Sequence, residues 1–290
     1  MKKTVLLFGA DGQVGWELQR AVAPFGEVKP LTQADVDLTD VDALRAAVRE
    51  AKPGVILNAA AYTAVDKAEG EPEVARAVNA VAPAIMAEEA KALGAWLVHY
   101  STDYVFDGAK KSPYRETDPA HPLNRYAAGK YAGEQAVLRA SPQHLVLRTS
   151  WVFDWHPTQT KTFVHTVLRA VREGRPLRST TDQVSVPTFA TDLARWTLEL
   201  IRRPAAGLFH AVNDEAVSRF EWTKIILEEA VGAGLIPAAP PVEPVLGSFF
   251  NSAMRRPDYT VMSNEKLARL LGCTLGSWRN GLRKMLAQMK

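Results

Sequence analysis

The stretch Thr4-Val-Leu-Leu-Phe-Gly-Ala-Asp-Gly-Gln-Val-Gly15 decides the fold of this chain. An apolar run enters a turn with three glycines, and the helical pattern Gln13–Ala23 follows. In such a strand-turn-helix unit, Gly9 permits the tight turn, Gly12 lets a pyrophosphate approach the backbone, and Gly15 lets the helix pack on the strand. The helix N-terminus offers free N–H groups to the phosphates. The stretch therefore predicts a dinucleotide site, in a G-x-x-G-x-x-G variant of the usual spacing.

The same alternation continues through the first half of the chain. Near-continuous apolar runs are typical of strands buried on both faces of a parallel sheet. They occur at Thr4–Ala10, Gly54–Ala61, Trp96–Ser101 and Leu145–Thr149, with a weaker strand at Glu27–Leu31. Helical patterns lie between them at Gln13–Ala23, Val41–Ala51, Glu73–Leu93 and Tyr126–Ala140. This order predicts an α/β fold with a doubly wound, Rossmann-like parallel sheet.

The character of the sequence changes after Trp151. We predict a dinucleotide-binding domain over residues 1–150 and a smaller, mostly helical substrate-binding region over 151–290, with part of 175–215 returning to the first domain. The elements expected here are helices at Thr162–Glu173, Thr191–Arg202, Phe220–Gly232, Ser263–Leu271 and Ser277–Met289, and a strand at Leu208–Val212. The Pro-rich stretch Pro237–Pro244 is expected to be a rigid connecting loop.

The composition limits the classes of protein to consider. The chain has 290 residues, 47% hydrophobic content and a net charge of +3 with interspersed signs, which argues against nucleic-acid or membrane-surface binding. No apolar run reaches the ~20 residues of a membrane span. Asp11-Gly12-Gln13 stands where a secretory cleavage site would be, so we expect a cytoplasmic protein. The single cysteine, Cys273, excludes an intrachain disulfide, and we expect it to be packed.

Tyr126 and Lys130 form the candidate reactive pair. If their segment is helical, residues four apart project from one face. A phenol titrates near ~10, and a nearby ammonium favours the phenolate and lowers that pKa. A hydroxyl from Ser101 or Thr102, at the end of a predicted strand, is placed to hold a substrate carbonyl against the phenol. Alone, the Tyr-x3-Lys spacing is weak, because a packed tyrosine beside a solvated lysine has the same pattern.

The residues after the second strand bear on the choice of cofactor. An acidic residue ~20 positions after the glycines often binds the ribose 2′-hydroxyl of NAD. The sequence here is Val28-Lys-Pro-Leu-Thr32, which has no carboxylate and leaves room for a 2′-phosphate beside Lys29. This favours NADPH, with NADH as an accepted alternative. Asp37 and Leu38 come later, and they fit an adenine pocket or a capped turn equally well.

Taken together, these segments resemble the extended short-chain dehydrogenase/reductase superfamily and, within it, the dTDP-4-dehydrorhamnose reductase family. The resemblance covers nearly the whole chain. It rests on Gly12–Gln19, Asn58–Glu69, Ser101–Phe106, Arg148–Val152 and the Asp182-Gln183 and Pro187-Thr188 pairs. It implies NAD(P)H-dependent reduction of the C4 ketone of dTDP-4-dehydro-L-rhamnose to dTDP-L-rhamnose, in nucleotide-sugar biosynthesis, by a homodimer.

The resemblance also implies roles for individual residues. The catalytic set is Thr102, Tyr126 and Lys130. The substrate is expected to meet Thr102, Asp103, Tyr104 and Trp151, although a tryptophan between two domains is ordinarily core. The cofactor is expected to be lined by the following set: Gly9, Gly12, Gln13, Val14, Gly15, Asp37, Leu38, Ala60, Ala61, Tyr62, Tyr100, Tyr126 and Lys130.

The sequence departs from the family pattern at a few positions near the expected substrate. Thr162 stands in place of an asparagine, Ser185 in place of glycine and Thr260 in place of serine. Some members of the family bind Mg²⁺ at a dimer contact through acidic residues, for which this sequence offers no match. The six histidines are scattered without ligand spacing, so we expect no metal site.

Three alternatives share this scaffold. A 4,6-dehydratase needs an Asp-Glu pair after the threonine, and here Asp103 is followed by Tyr104. A 4-epimerase is expected to hold NAD tightly and to need no added reductant. A non-catalytic regulatory subunit is expected to bind NADPH without turnover, and the intact Thr102, Tyr126 and Lys130 set argues against it.

Overall fold

The computed structural model describes residues 3–252 and 254–289. The strands are β1 (Lys3–Phe8), β2 (Gly26–Leu31), β3 (Val55–Asn58), β4 (Trp96–Thr102), β5 (Leu145–Thr149), β6 (Val152–Phe153), β7 (Leu177–Thr180), β8 (Val184–Ser185), β9 (Thr188–Phe189), β10 (Gly207–His210), β11 (Val217–Ser218) and β12 (Val242–Val245). The α-helices are α1 (Gln13–Val22), α2 (Val41–Ala51), α3 (Pro72–Arg76), α4 (Ala82–Leu93), α5 (Arg125–Ala140), α6 (Phe163–Arg172), α7 (Ala190–Arg202), α8 (Arg219–Gly232), α9 (Glu265–Leu271) and α10 (Trp278–Gln288).

A six-stranded parallel sheet organises the first half of the molecule, in the order β10-β5-β4-β3-β1-β2. Helices α1 and α7 pack on one face, and α2, α4 and α5 pack on the other. The predicted doubly wound parallel sheet is therefore confirmed. Strand order reverses between β1 and β3, so their carboxyl ends form the crevice where open α/β sheets bind ligands.

The later part of the chain contributes to both halves of the molecule. Strand β10 pairs with β5 and α7 packs on α1, so residues 190–210 complete the sheet layer. A separate hydrophobic core lies beneath α6, α8 and α10. It is built on aromatic side chains, with Trp222 and Trp278 fully buried at its centre. The division near residue 150 into two domains stays a prediction.

Several sequence-based boundaries differ from the structure. The third strand ends at Asn58 and not at Ala61. The helix expected over Glu73–Leu93 is interrupted by five π-helical residues, Ala77–Val81. The reason is local, because Pro83 has no N–H to donate to the carbonyl of Asn79.

Two expectations about the C-terminal region are wrong. The connector expected at Pro237–Pro244 ends in strand β12, which pairs with β7. Cys273 is exposed and not packed. It directly follows Gly272, whose left-handed conformation ends α9 and turns the chain away from the core.

Candidate active site

The glycine turn lies at the crevice between β1 and β3. Gly9 has φ +74°, and a Cβ there would come within 2.6 Å of the backbone nitrogen of Ala60. A Cβ on Gly15 would lie 2.0 Å from the carbonyl oxygen of Gly9. Both glycines are therefore required by close backbone packing. A Cβ on Gly12 would meet only the Gly9 oxygen, at 3.4 Å, so the space in front of the turn is open.

The N-terminus of α1 faces this open space. Its N-cap residue is Gly12, which has no side chain to cap the first backbone N–H groups, and its first turn carries no acidic residue. The first backbone N–H groups are therefore free to bind an anion, and the helix dipole adds positive potential there. The Gln13 side chain donates to the carbonyl oxygen of Gln159 at 3.2 Å, which brings the loop before α6 across the crevice. This cradle fits the diphosphate of a dinucleotide.

Two buried asparagines fix the small-residue segment after β3. Asn58 accepts a hydrogen bond from the backbone N–H of Ala60 at 3.2 Å. Asn79 accepts from the N–H of Tyr62 at 2.9 Å and donates to its carbonyl oxygen at 3.0 Å. Ala60, Ala61 and Tyr62 thus form a backbone wall beside the glycine turn. The sequence analysis did not identify Asn79. The available signal was Pro83, four residues later, which indicates an irregular helix at this position.

Three other predicted cofactor residues are placed differently. Asp37 is exposed and accepts hydrogen bonds from the backbone and hydroxyl of Thr39, while Leu38 is buried beneath it. The capped-turn alternative is therefore present in the structure, although the N-cap of α2 is Asp40. The Tyr100 side chain points into the core, where its hydroxyl bonds the Thr197 hydroxyl at 2.7 Å. Only the backbone of Tyr100 faces the site.

The expected catalytic residues converge at the carboxyl end of β4. Thr102 is its last residue, and its hydroxyl lies beside the phenol of Tyr126. Helix α5 carries Tyr126 and Lys130, and it begins at Asn124, whose side chain accepts from the N–H of Ala127 at 2.8 Å. The Lys130 ammonium donates to the carbonyl oxygen of Tyr100 at 2.6 Å.

Burial sets the electrostatics of this pair. It raises the pKa of Tyr126 well above its ordinary value, and the neighbouring Thr102 hydroxyl opposes the increase only in part. The lowered tyrosine pKa expected from the sequence is therefore wrong for this arrangement. Burial lowers the pKa of Lys130 to about 8, against the attraction of Glu134 one turn along the helix. Tyr126 is a neutral phenol at pH 7, and most Lys130 side chains are charged.

Asp103 and Tyr104 follow Thr102 in a short 3₁₀ turn. Burial raises the pKa of the Asp103 carboxyl to about 6, and hydrogen bonds from hydroxyl groups oppose the rise. Tyr104 packs edge-on against Tyr126, with 6.2 Å between ring centroids. The charged ends of Arg219 and Arg256 face Tyr104. The sequence-predicted substrate residues thus surround the phenol of Tyr126.

A cavity of about 530 Å³ opens beside Arg219 and Arg256. Three guanidinium groups line it, from Arg178, Arg219 and Arg256. Arg219 lies 3.6 Å from the ring centroid of Trp151, which adopts φ +42° and stacks on the buried Trp222. Trp151 is therefore both a cavity-side residue and part of the second core. The cationic lining suits a diphosphate.

Sequence reasoning missed the arginines and the contact that fixes one of them. Asp66 pairs with Arg256 at 2.7 Å and also accepts from the hydroxyl of Ser252 at 2.7 Å. Asp66 and Arg256 are 190 positions apart in the sequence. No local pattern brings them together, so only the resemblance pointed to this region.

Searches of the described residues for other kinds of site gave two results. Within residues 3–252 and 254–289, no group of three or more His, Cys, Asp and Glu side chains is placed to hold a metal ion. Over the same residues, every helix is too short or too polar to span a membrane.

The sequence and the fold of this chain are both similar to those of known proteins. The sequence matches the family described as the RmlD substrate binding domain over residues 1–290. It is 40% identical over 294 residues to the dTDP-4-dehydrorhamnose reductase of Salmonella typhimurium, covering 98% of this chain and 97% of that protein. It is 40% identical over 286 residues to the enzyme of the same name from Burkholderia thailandensis, covering 95% of each chain. The fold is similar to the crystal structure of dTDP-4-dehydrorhamnose reductase from Bacillus anthracis in complex with NADP, with a TM-score of 0.91, 33% identity and coverage of 99% of this chain and 100% of that one.

Proposed function

The chain belongs to the RmlD substrate binding domain family, among relatives that are dTDP-4-dehydrorhamnose reductases, and from this we propose that it reduces the C4 ketone of dTDP-4-dehydro-L-rhamnose with NADPH to give dTDP-L-rhamnose. The observation that carries the proposal is the meeting of three side chains at the end of β4. The Thr102 hydroxyl lies beside the phenol of Tyr126 there, and Lys130 is bound to the carbonyl oxygen of Tyr100, two residues back on the same strand. The open glycine cradle lies at the same edge of the sheet.

The reaction requires a hydride at C4 and a proton at the oxygen. The nicotinamide of bound NADPH supplies the hydride. Tyr126 is the proton donor, because its pKa lies above its ordinary value and the phenol keeps its proton at neutral pH. An alkoxide is more basic than a phenolate, so the transfer is downhill even from this weak acid.

Thr102 and Lys130 support that transfer in different ways. The Thr102 hydroxyl holds the carbonyl oxygen in reach of the phenol, which supplies orientation. The Lys130 ammonium stabilises the phenolate left on Tyr126, and we assign to it a second contact with the nicotinamide ribose. Its bond to the carbonyl oxygen of Tyr100 uses one of its three donors and leaves two for these tasks.

The substrate's diphosphate is assigned to the cavity lined by Arg178, Arg219 and Arg256. Arg219 is the strongest candidate, because Arg178 pairs with Glu243 and Arg256 pairs with Asp66, whereas the Arg219 guanidinium lies over the ring of Trp151. Trp151 and Tyr104 border the sugar between this cavity and the phenol. Phosphate groups are bound well by guanidinium forks.

NADPH is the preferred reductant in this proposal, with NADH as an accepted alternative. The Asp35 carboxylate, after the end of β2, accepts hydrogen bonds from both the N–H and the hydroxyl of Thr32 and is therefore engaged locally. Lys29 is exposed on the same strand and is available to a 2′-phosphate. The relative from Bacillus anthracis was crystallised with NADP.

The proposed activity is tested by following NADPH absorbance with dTDP-4-dehydro-L-rhamnose as substrate. We expect one NADPH to be consumed per ketone, with slower turnover on NADH and on a UDP analogue. Tightly bound NAD in the purified protein and turnover without reductant would indicate an epimerase instead. NADPH binding with no consumption would indicate a regulatory subunit.

Two finer expectations complete the proposal. We propose a homodimer, which light scattering of the purified protein tests directly. We also propose a cytoplasmic location. Fractionation of the producing cells checks the location.

A further inference from the structure

Three hydroxyl groups surround the buried carboxylate of Asp103. Its Oδ1 accepts from the hydroxyl of Thr102 at 3.2 Å. Its Oδ2 accepts from the hydroxyl of Ser185 at 3.0 Å and from that of Thr260 at 2.5 Å. An ionised carboxylate has no hydrogen to give, so each hydroxyl is the donor. Ser185 and Thr260 are two of the positions at which the sequence departs from the family pattern.

This arrangement creates a competition for the single hydrogen of Thr102. The Thr102 oxygen already accepts from the backbone N–H of Tyr104 at 3.2 Å. Its own hydrogen points to Asp103 in the free protein, whereas ketone binding requires that hydrogen at the substrate. Losing the bond to Asp103 costs least when the carboxylate keeps other donors.

Ser185 and Thr260 are fixed in place by the backbone. Ser185 lies in β8, which pairs with β11, and it is fully buried. The N–H of Thr260 donates to the carbonyl oxygen of Val184 at 2.9 Å, which ties the two segments together. Both hydroxyls therefore reach Asp103 without ordering a flexible loop.

We propose that Ser185 and Thr260 are positioning residues for ketone reduction: they hold the Asp103 carboxylate so that the Thr102 hydroxyl can turn to the substrate oxygen. The inference rests on the proposed reductase function. It adds to that function two residues that touch neither the hydride nor the proton donor. They act through Asp103 and Thr102.

The charges around Asp103 give the inference a second readout. The groups facing it are Arg219 on α8, Tyr104 beside it and Tyr126 on α5, with Arg256 behind Tyr104. The hydroxyls and Arg219 lower the pKa of Asp103 against the effect of burial. Removal of either hydroxyl raises that pKa further, so the carboxyl carries a proton at higher pH. A protonated carboxyl donates to the Thr102 oxygen instead of accepting its hydrogen, so the pH dependence of kcat reports the protonation of Asp103.

The experiment compares Ser185→Ala, Thr260→Val and Thr260→Ser with the wild type, all as full-length protein. We expect Ser185→Ala and Thr260→Val each to lower kcat for ketone reduction about tenfold at pH 7, as the loss of one hydrogen bond predicts, with an unchanged KM for NADPH. The acidic limb of the pH–rate profile is expected to move up by about one unit, since one such bond is worth that much pKa. Thr260→Ser keeps the hydroxyl and is expected to keep kcat and the limb.

The outcomes separate the inference from the proposed function. Wild-type kcat and an unmoved acidic limb in both Ser185→Ala and Thr260→Val overturn the inference while the function stands. If Ser185→Ala fails to fold, by thermal melting and NADPH binding, the comparison of Thr260→Val with Thr260→Ser decides. Equal losses in those two variants also overturn it. A wild type that does not reduce the ketone refutes the function and the inference together.

Discussion

The ammonium of Lys130 donates a hydrogen bond to the backbone carbonyl oxygen of Tyr100, with 2.6 Å between the two atoms. The lysine is thereby held beneath the crevice and away from water. This explains why burial lowers its pKa to about 8, well below that of a solvated lysine. It also links the strand that carries Thr102 to the helix that carries Tyr126.

The first prediction concerns the alkaline pH dependence. Because the lysine loses its charge as pH rises through about 8, kcat/KM is expected to fall above that pH. Lys130→Arg remains charged throughout, so its lower activity is expected to be flat from pH 7 to 9.5. The check is a pH–rate profile of both proteins. A limb near pH 8 that persists in the arginine variant would assign it to another group.

The proton donor gives the second prediction. Tyr126→Phe removes the phenolic hydrogen but keeps the ring that packs on Tyr104. We expect kcat to fall at least 10²-fold, the lower range for loss of a general acid, while the Kd for NADPH stays within about twofold. Tyr131→Phe, at a position further along the same helix, is the matched control and is expected to reduce the ketone at the wild-type rate. Substantial turnover by Tyr126→Phe would falsify the assignment.

The glycine turn yields a third prediction, in the form of a contrast. A Cβ at Gly12 has only one neighbour, at 3.4 Å, so Gly12→Ala is expected to fold normally and to bind NADPH at least tenfold more weakly. A Cβ at Gly15 would overlap the Gly9 carbonyl, so Gly15→Ala is expected to lower the melting temperature as well. Calorimetry and fluorescence titration measure the two effects. Equal melting temperatures for the two variants would contradict the packing described for Gly15.

The cationic cavity gives the fourth prediction. Arg219→Met keeps the apolar stem over Trp151 and removes the charge. We expect KM for the nucleotide sugar to rise about tenfold or more, in line with loss of a charged hydrogen bond, and KM for NADPH to stay constant. Arg283→Met removes an exposed arginine that pairs with Glu229 on the outer surface, and it serves as the control. An equal KM in the two variants would place the diphosphate elsewhere.

The fifth prediction concerns stability and pH. Burial and the nearby Arg148 lower the pKa of His210 to about 3, so the folded protein holds it neutral. The unfolded chain binds a proton there below pH ~6.5, and the stabilisation is therefore lost as pH falls from 6.5 towards 3. Between pH 7 and 5 the wild type is expected to lose about 2 kcal/mol more free energy of unfolding than His210→Gln. Urea unfolding at both pH values measures the difference. Equal losses of unfolding free energy in the two proteins would show that His210 is not the group responsible.

The Asp103 cluster shows how far a local pattern reaches. Thr102, Tyr126 and Lys130 were predictable because each lies in a segment with its own signal: a strand end, or a four-residue spacing on a helix. Ser185 and Thr260 were visible only as departures from a family pattern. Their common contact is with a carboxylate 82 and 157 positions away. Pairing at that separation is decided by packing of the whole chain, which no sequence window contains.

The direction of the Tyr126 pKa shift is likewise decided by packing of the whole chain. The i,i+4 spacing correctly placed Tyr126 and Lys130 on one helix, but the predicted net lowering of the phenol pKa was wrong, because burial raises it. The pKa depends on burial of the phenol and on the nearby Asp103 and Tyr104, which raise it further. It also depends on the hydrogen bond that the Lys130 ammonium donates to the carbonyl oxygen of Tyr100.

By itself the sequence determined the parallel sheet, the glycine turn and which side chains are the candidate reactive groups. Hydrophobic periodicity and backbone sterics act over a few residues and can be read directly from their order. The tertiary structure alone decided the cationic cavity, the hydroxyls on Asp103 and the protonation states. Those depend on burial and on contacts between distant segments, where the loss of water and the approach of charges are set by the folded chain.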